Sequence, residues 1–364
     1  MQLENFLQKL AHKIFQIELK YKFRLICVRL LIQYIFSSTQ MFKTFLHKLI
    51  QKIDTIFLVI HKIIFDFHPR HFFIDTFFAG NMWEIIMPNF IRKELKIRTS
   101  LLRHLKNKVH KNSVLKISDE GFAFQDDCSN LLEPAIKRSL IMLNESGIES
   151  VDYDNLKYKK PFLCDFKIDL NDKSNHAIGK ITTSDLILLP VANYFGHIPI
   201  LTAANIYYSP NKGFQSGKSQ QYHMDGHDGR VVKIFIALDD IDEQSGPFVF
   251  LPKSISRRVY NSMRKKRLVK RRNQKVLDET IYQFCEEGDA VVSTLKKGSA
   301  LFVDTDVCYH YGSRPSPKTR KVLFLEYRSA YSQRRVFTFP NREYLKDGFS
   351  DLSNNQKIKK LVNI

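Results

Sequence analysis

His223-Met224-Asp225, followed far downstream by His310, offers two imidazole nitrogens and one carboxylate oxygen, and Arg320 comes soon after the second histidine. Two imidazoles and a carboxylate make a three-ligand face that suits a non-haem ferrous ion and leaves coordination positions open for reaction. The guanidinium of Arg320 is a planar fork that can hold a carboxylate through two hydrogen bonds. These four residues together point to an oxygenase with a carboxylate co-substrate rather than to a binding module. His-x-Asp alone is a common chance match, and a polar turn is its ordinary explanation. His227 with Asp228 offers a second register. The first pair is preferred, because Gly226 and Gly229 then read as loop residues beyond the site. The same triad could hold zinc or manganese in a metal-binding cupin-like protein, but Arg320 would then have no assigned purpose.

Such a set works only if distant segments meet. In a strand, residues i and i+2 project from the same face, so His223 and Asp225 can share a metal if the backbone presents both inward. The third ligand must then arrive from another strand, and His310 follows the strand signal Leu301-Phe302-Val303. From residue 182 onward, short apolar or alternating runs predict strands over 186–189, 203–208, 231–238, 248–251, 290–293, 299–303 and 322–327. Gly, Pro, Asn or Asp clusters separate most of them. Strands of this length and spacing predict a mainly β domain, an all-β sandwich or jelly roll with the cupin-like barrel among them. Upstream, 114–117 and 122–124 read as two short strands about a turn. A flanking helix is expected over 131–144, with Pro134 in its first turn.

Residues 1–110 read as a helical N-terminal extension: Leu3, Leu7, Leu10, Ile14 and Ile17 recur at helical spacing, as do Phe45, Leu49, Ile53, Ile56 and Ile60. The opposite faces carry Lys and His. Packing of the apolar stripe on the neighbouring domain is favoured over a membrane surface. The catalytic domain is expected over 111–335, and 336–364 reads as a C-terminal tail. Arg29 and His61-Lys62 break the apolar runs, so no spanning helix of about 20 apolar residues is expected. The N-terminus also lacks the pattern of a secretory signal.

Hydrophobic residues make up 44% of the 364 positions and aromatics 12%, enough for a packed core and against wholesale disorder. The five cysteines (Cys27, Cys128, Cys164, Cys285 and Cys308) are scattered and form no C-x-x-C pair. That excludes a zinc ribbon, argues against a disulfide framework, and predicts a reducing, cytoplasmic setting. Cys308 is read as a buried residue beside the site, not as a ligand. The net charge of +20 would suit an anionic partner but is unselective. Its densest part, about 255–280, carries Arg257-Arg258, Arg264 to Arg267 and Lys270 to Arg272 between two strand signals. Little apolar periodicity is visible there, so a solvated loop or short helix over the barrel mouth is expected. Contact of this segment with nucleic acid or an anionic membrane surface is the non-enzymatic alternative.

The succession of Val231 to Asp240, Ser245-Gly246-Pro247-Phe248-Val249-Phe250-Leu251-Pro252, Gly288-Asp289-Ala290 and Gly298 to Asp304, closed by His310 and Arg320, resembles the phytanoyl-CoA dioxygenase family. These are iron(II)/2-oxoglutarate oxygenases, and the resemblance implies a double-stranded β-helix (jelly roll, cupin-like) flanked by helices. Glu120-Gly121-Phe122-Ala123 also looks like that family's opening, and the resemblance covers roughly 112–335. It implies His223, Asp225 and His310 as Fe(II) ligands and Arg320 as the clamp on the distal carboxylate of 2-oxoglutarate, with Arg314 as the competing arginine. It further implies Ser313, Phe235, Asn205 and Tyr207 near the co-substrate. The implied reaction hydroxylates an unidentified small organic molecule, possible anions included, with dioxygen, and decarboxylates 2-oxoglutarate to succinate and carbon dioxide. The turn Pro252-Lys253-Ser254-Ile255 departs from the family in lacking the usual glycine and histidine.

Overall fold

In a computed structural model, residues 89–107, 114–126, 128–152, 162–213, 218–225, 231–270, 273–330 and 349–362 are described. The amphipathic segments expected before residue 89, with Cys27, lie outside them, as do His227-Asp228 and Arg271-Arg272. The described residues fall within one unit spanning 69–364.

The strands are β1 (Phe122–Gln125), β2 (Cys164–Lys167), β3 (Ile200–Ser209), β4 (Val231–Ala237), β5 (Phe248–Phe250), β6 (Val291–Ser293), β7 (Ala300–Asp304), β8 (His310–Tyr311) and β9 (Arg320–Arg328). They form a six-stranded sheet in the order β1-β7-β4-β9-β3-β2 and a three-stranded sheet in the order β6-β5-β8. All pairings are antiparallel. The two sheets share one apolar core, the double-stranded β-helix arrangement that the family resemblance implies.

Strand alternation decides what each face carries. On β4, Val232, Ile234 and Ile236 belong with helical residues such as Ile136, Ile187 and Val191 in one buried cluster. Phe235 and Ala237 point the other way and pack between the sheets with Phe248, Phe250, Leu301, Val322 and Phe324. The outward face is covered by helices. Among them are α1 (Asn89–Lys106), α2 (Ser129–Glu145), α3 (His176–Ile181) and α4 (Asp185–Phe195).

Three expectations need correction. Leu186 to Leu189 is not a strand but the first half of α4. The helix is buried along nearly its whole length, so its sequence is apolar all round, and such a run cannot be told from a buried strand by periodicity. Gly196 ends it in a left-handed conformation (φ 79°). Residues 114–117 form no strand; they lead to a turn in which Ser118 N donates to Phe122 O. The basic insertion is ordered by α5 (Lys253–Lys265) and the short α6 (Asp278–Ile281). Ser256, Val259, Tyr260 and Met263 form the buried stripe of α5 at i, i+3, i+4 and i+7. Arginines between these positions had masked it. Glu120 secures the start of α5, its Oε2 accepting from Ser254 N at 2.9 Å.

At the carboxyl end, α7 (Asn354–Val362) buries Ile358, Leu361 and Val362. Buried Arg98 of α1 ties this helix to the start of β3, donating to Leu361 O at 3.1 Å and to Ile198 O and Pro199 O at 3.0 Å. Its own charge is met by Glu94 at 2.7 Å. No helix among the described residues is long and apolar enough to cross a membrane.

Candidate metal centre

His223 and His310 meet through the backbone first. Each donates its N–H to the other's carbonyl, at 3.0 and 2.9 Å, and this bridge joins the segment after β3 to β8. Asp225 follows, its N–H given to Thr305 O just beyond β7 at 3.0 Å. The ligand atoms of His223, Asp225 and His310 all lie within 4.8 Å of one another, and no other such cluster occurs among the described residues. Asp225 Oδ1 is 4.0 Å from His223 Nε2 and 3.8 Å from His310 Nε2.

Both rings are oriented by main-chain carbonyls. His223 Nδ1 bonds Gln221 O at 2.8 Å, and His310 Nδ1 bonds Cys308 O at 2.9 Å. A proton on Nδ1 satisfies that bond and leaves Nε2 with a free lone pair, the arrangement a metal-binding histidine needs. Burial pushes His223 down to about 2 and His310 to about 4, so both are neutral at ordinary pH. Burial works to raise Asp225, but the Lys233 ammonium outweighs it and holds the carboxyl well below the usual range. The donor set is therefore already in the protonation state that ligation requires, and the residues present fit a divalent ion.

Arg320 opens β9 at the opposite end of the inner face. It is 5% exposed, and its Nη2 donates to Ser313 Oγ at 2.7 Å and Ser209 Oγ at 3.4 Å. Its Nε has no hydrogen-bond partner. Burial alone pulls the guanidinium down to about 10, with no acidic group offsetting it. The two serine hydroxyls also bond each other at 3.0 Å, and Ser313 sits at φ 57°, an uncommon conformation for a residue with a Cβ. Gln220 Nε2, bonded to Ser313 O at 2.8 Å, helps hold it there.

The remaining expected residues line the space between the sheets. Asn205 and Tyr207 on β3 stand opposite Phe324 and Val322 of β9. The Tyr207 ring stacks on Phe324 at 4.5 Å, and burial, reinforced by Asp165, raises its phenol. Phe235 lies 4.7 Å from Phe248, whose ring in turn stacks over His310 at 5.2 Å. An aromatic wall thus runs from the ligand histidine towards the arginine. Cys308 is buried, its thiol pushed up by burial and its Sγ 3.6 Å from Glu120 O, so it stands beside the triad without joining it. Arg314 is engaged elsewhere. It makes a two-pronged pair with Asp278 at 2.6 and 2.7 Å and lies 3.2 Å over the Tyr311 ring, which fastens α6 to the sheet.

Sequence reasoning missed Ser209, Lys233 and Glu326. Lys233 Nζ is 2.7 Å from Asp225 Oδ2, and Glu326 stands opposite Lys233 in the β4–β9 ladder. Both could have been found as charged residues at inward positions of otherwise apolar strands. Ser209 had no signal of its own; only its register opposite Arg320 marks it.

Residues 169–322 match the family model described as phytanoyl-CoA dioxygenase (PhyH). No curated protein sequence matches the chain. Similar solved structures include apo EctD from S. alaskensis, at 14% identity and TM-score 0.42, covering 61% of this chain and 77% of that one. The epimerase SnoN, in complex with Fe3+, alpha ketoglutarate and nogalamycin RO, is similar at 14% identity and TM-score 0.37, with 57% and 79% covered. HygX from Streptomyces hygroscopicus, with nickel and 2-oxoglutarate bound, stands at 11% identity and TM-score 0.37, with 59% and 88% covered. The matched segment, which holds His223, Asp225, His310 and Arg320, is similar to that family.

Proposed function

We propose that this protein is an iron(II)/2-oxoglutarate-dependent oxygenase that hydroxylates a small organic molecule with dioxygen. One observation carries the reading: a neutral-imidazole, ionised-carboxylate triad shares an enclosed interior with a buried arginine that lacks a counter-charge. A divalent ion and a dicarboxylate are the complementary pair that would satisfy both. Iron would be held by His223 Nε2, His310 Nε2 and Asp225 Oδ1. The bound iron and co-substrate would supply the oxidising chemistry, so no side chain has to act as general acid or base.

The protein's part is to bind, orient and exclude. Arg320, with Ser313 and Ser209, would receive the distal carboxylate of 2-oxoglutarate, turning an unfavourable buried cation into a buried pair. Phe235, Phe248 and Phe324 keep water from the space between, while Asn205 and Tyr207 offer polar groups on the adjoining strand. The Gln221 and Cys308 carbonyls keep the imidazoles turned to the metal.

Anaerobic titration with iron(II), with and without 2-oxoglutarate, tests this. A weak visible charge-transfer band is expected in the native protein, abolished in His310→Ala and weakened in Arg320→Ala. Bound iron without any band in the presence of 2-oxoglutarate would rule the reading out.

A further inference from the structure

The two oxygens of Asp225 face different partners. Oδ1 looks at both imidazoles, whereas Oδ2 is 2.7 Å from Lys233 Nζ. Lys233 is fixed from both sides of its strand, opposite Val303 of β7 and Glu326 of β9. Its side chain is 17% exposed. Placing an ammonium in an interior otherwise lined by Phe235, Val303 and Phe324 is unfavourable unless a specific partner is served. Glu326 stands opposite but is committed elsewhere: its Oε1 accepts from Thr202 Oγ1 at 2.7 Å and Arg328 Nε at 2.8 Å. The direct partner of Lys233 is therefore Asp225.

We propose that Lys233 is a positioning residue that restrains Asp225 to ligation through Oδ1 alone. This rests on the metal reading above and goes beyond it. A carboxylate on a free loop can bind a metal through one oxygen or both. Among the described residues, Thr305 holds Asp225 at its backbone N–H and contributes a side-chain hydrogen bond to its carboxylate, and Lys233 is the one cation paired with it. With Oδ2 held by the ammonium, one oxygen remains for the metal, and a coordination position that a two-oxygen carboxylate would occupy stays open for the co-substrate. The pair has a second effect. Lys233 offsets the Asp225 charge, so a bound dication leaves the site positive, and that favours an anionic co-substrate.

Cobalt(II) is a suitable probe, because its visible spectrum reports coordination number without turnover. In Lys233→Met the metal should bind at least as tightly as in the native protein when 2-oxoglutarate is absent. Its spectrum should shift towards a more fully occupied protein ligand set, and affinity of the cobalt-loaded protein for 2-oxoglutarate should fall about tenfold or more, the size expected when a residue that orients a metal ligand is lost. Lys233→Arg, which keeps the charge and the donor, should restore both. Lys233→Ala carries the same readings should Lys233→Met not fold. A native cobalt spectrum and a 2-oxoglutarate affinity within about twofold of native in Lys233→Met or Lys233→Ala would overturn the proposal. Loss of metal binding in a folded variant would overturn it too, by making the lysine necessary for the ligand itself. If the native protein takes up neither cobalt nor 2-oxoglutarate, the oxygenase reading fails. If it takes up both and the variants behave like it, only the role of Lys233 fails.

Discussion

Replacing Arg320 with methionine should leave the ligand-free protein as stable as before, or more so, while weakening its response to 2-oxoglutarate. Burial brings the guanidinium from its ordinary 12.5 to about 10. At 1.36 kcal/mol per pKa unit, its solvation deficit is about 3 kcal/mol. Against that stands the charged hydrogen bond to Ser313 at 2.7 Å, about 1.5–3 kcal/mol, and a longer one to Ser209 at 3.4 Å. Removing the side chain orphans neither hydroxyl, because Ser209 and Ser313 already bond each other at 3.0 Å. Methionine fills similar length without charge, and such replacements of poorly compensated buried charges are neutral or stabilising by about 1–4 kcal/mol. The net expectation is a change between zero and about +2 kcal/mol, from the difference of these opposing effects. The metal-loaded native protein should gain about 2.7 kcal/mol from 2-oxoglutarate at a hundred times its dissociation constant, and the variant clearly less at that concentration. Urea unfolding of both proteins, with and without 2-oxoglutarate, reads all four quantities. A variant that loses more than about 2 kcal/mol yet keeps the ligand-induced gain would show the guanidinium to be a structural strut, and the reasoning would be wrong.

Acid should destabilise the metal-free protein through its ligand histidines. Folding holds His223 at about 2 and His310 at about 4, against an ordinary 6.5. The unfolded chain therefore binds protons below pH 6.5 that the folded one refuses, so stability falls as pH drops from 6.5, by up to about 1.4 kcal/mol per pH unit for each histidine, and His310's share levels off near pH 4. Chemical denaturation at pH 7, 6 and 5 measures it; a flat profile in the native protein, or an unchanged one in a His223→Phe/His310→Phe double variant, would contradict the burial argument. Arg314→Leu should loosen the insertion without touching the metal. It breaks the two-pronged pair with Asp278 and the stacking on Tyr311, a loss of about 1–2 kcal/mol for a half-buried pair. Faster limited proteolysis within residues 253–289 and unaltered cobalt binding are expected; unchanged cleavage would show that α5 alone holds the segment.

The residues that the fold brings together at the candidate site were legible by type. His223, Asp225, His310 and Arg320 could be picked out because metal ligation and carboxylate binding demand particular side-chain types, and type is what a sequence displays. The strands around them were legible for a similar reason: alternation on β4 and β9, the latter opening on Arg320, is a local pattern with a fixed period. Where both failed, the cause was non-local. Leu186 to Leu189 became helix because α4 is enclosed by neighbours on every side, which removes the polar face that betrays a period. The stripe of α5 runs through a serine and between arginines, and its meaning depends on the surface it covers. Arg314 and Arg320 look alike in sequence; one is engaged by an aspartate on the insertion, the other is left in the interior with only hydroxyls. Lys233 is a basic residue in a strand until the loop carrying Asp225 is laid against it. Local backbone preference and side-chain chemistry thus set which elements and which reaction were available. Only tertiary contact, where burial removes water and brings distant segments within hydrogen-bond reach, decided which charges are paired, which oxygen of Asp225 meets Lys233, and which arginine is buried among hydroxyls alone.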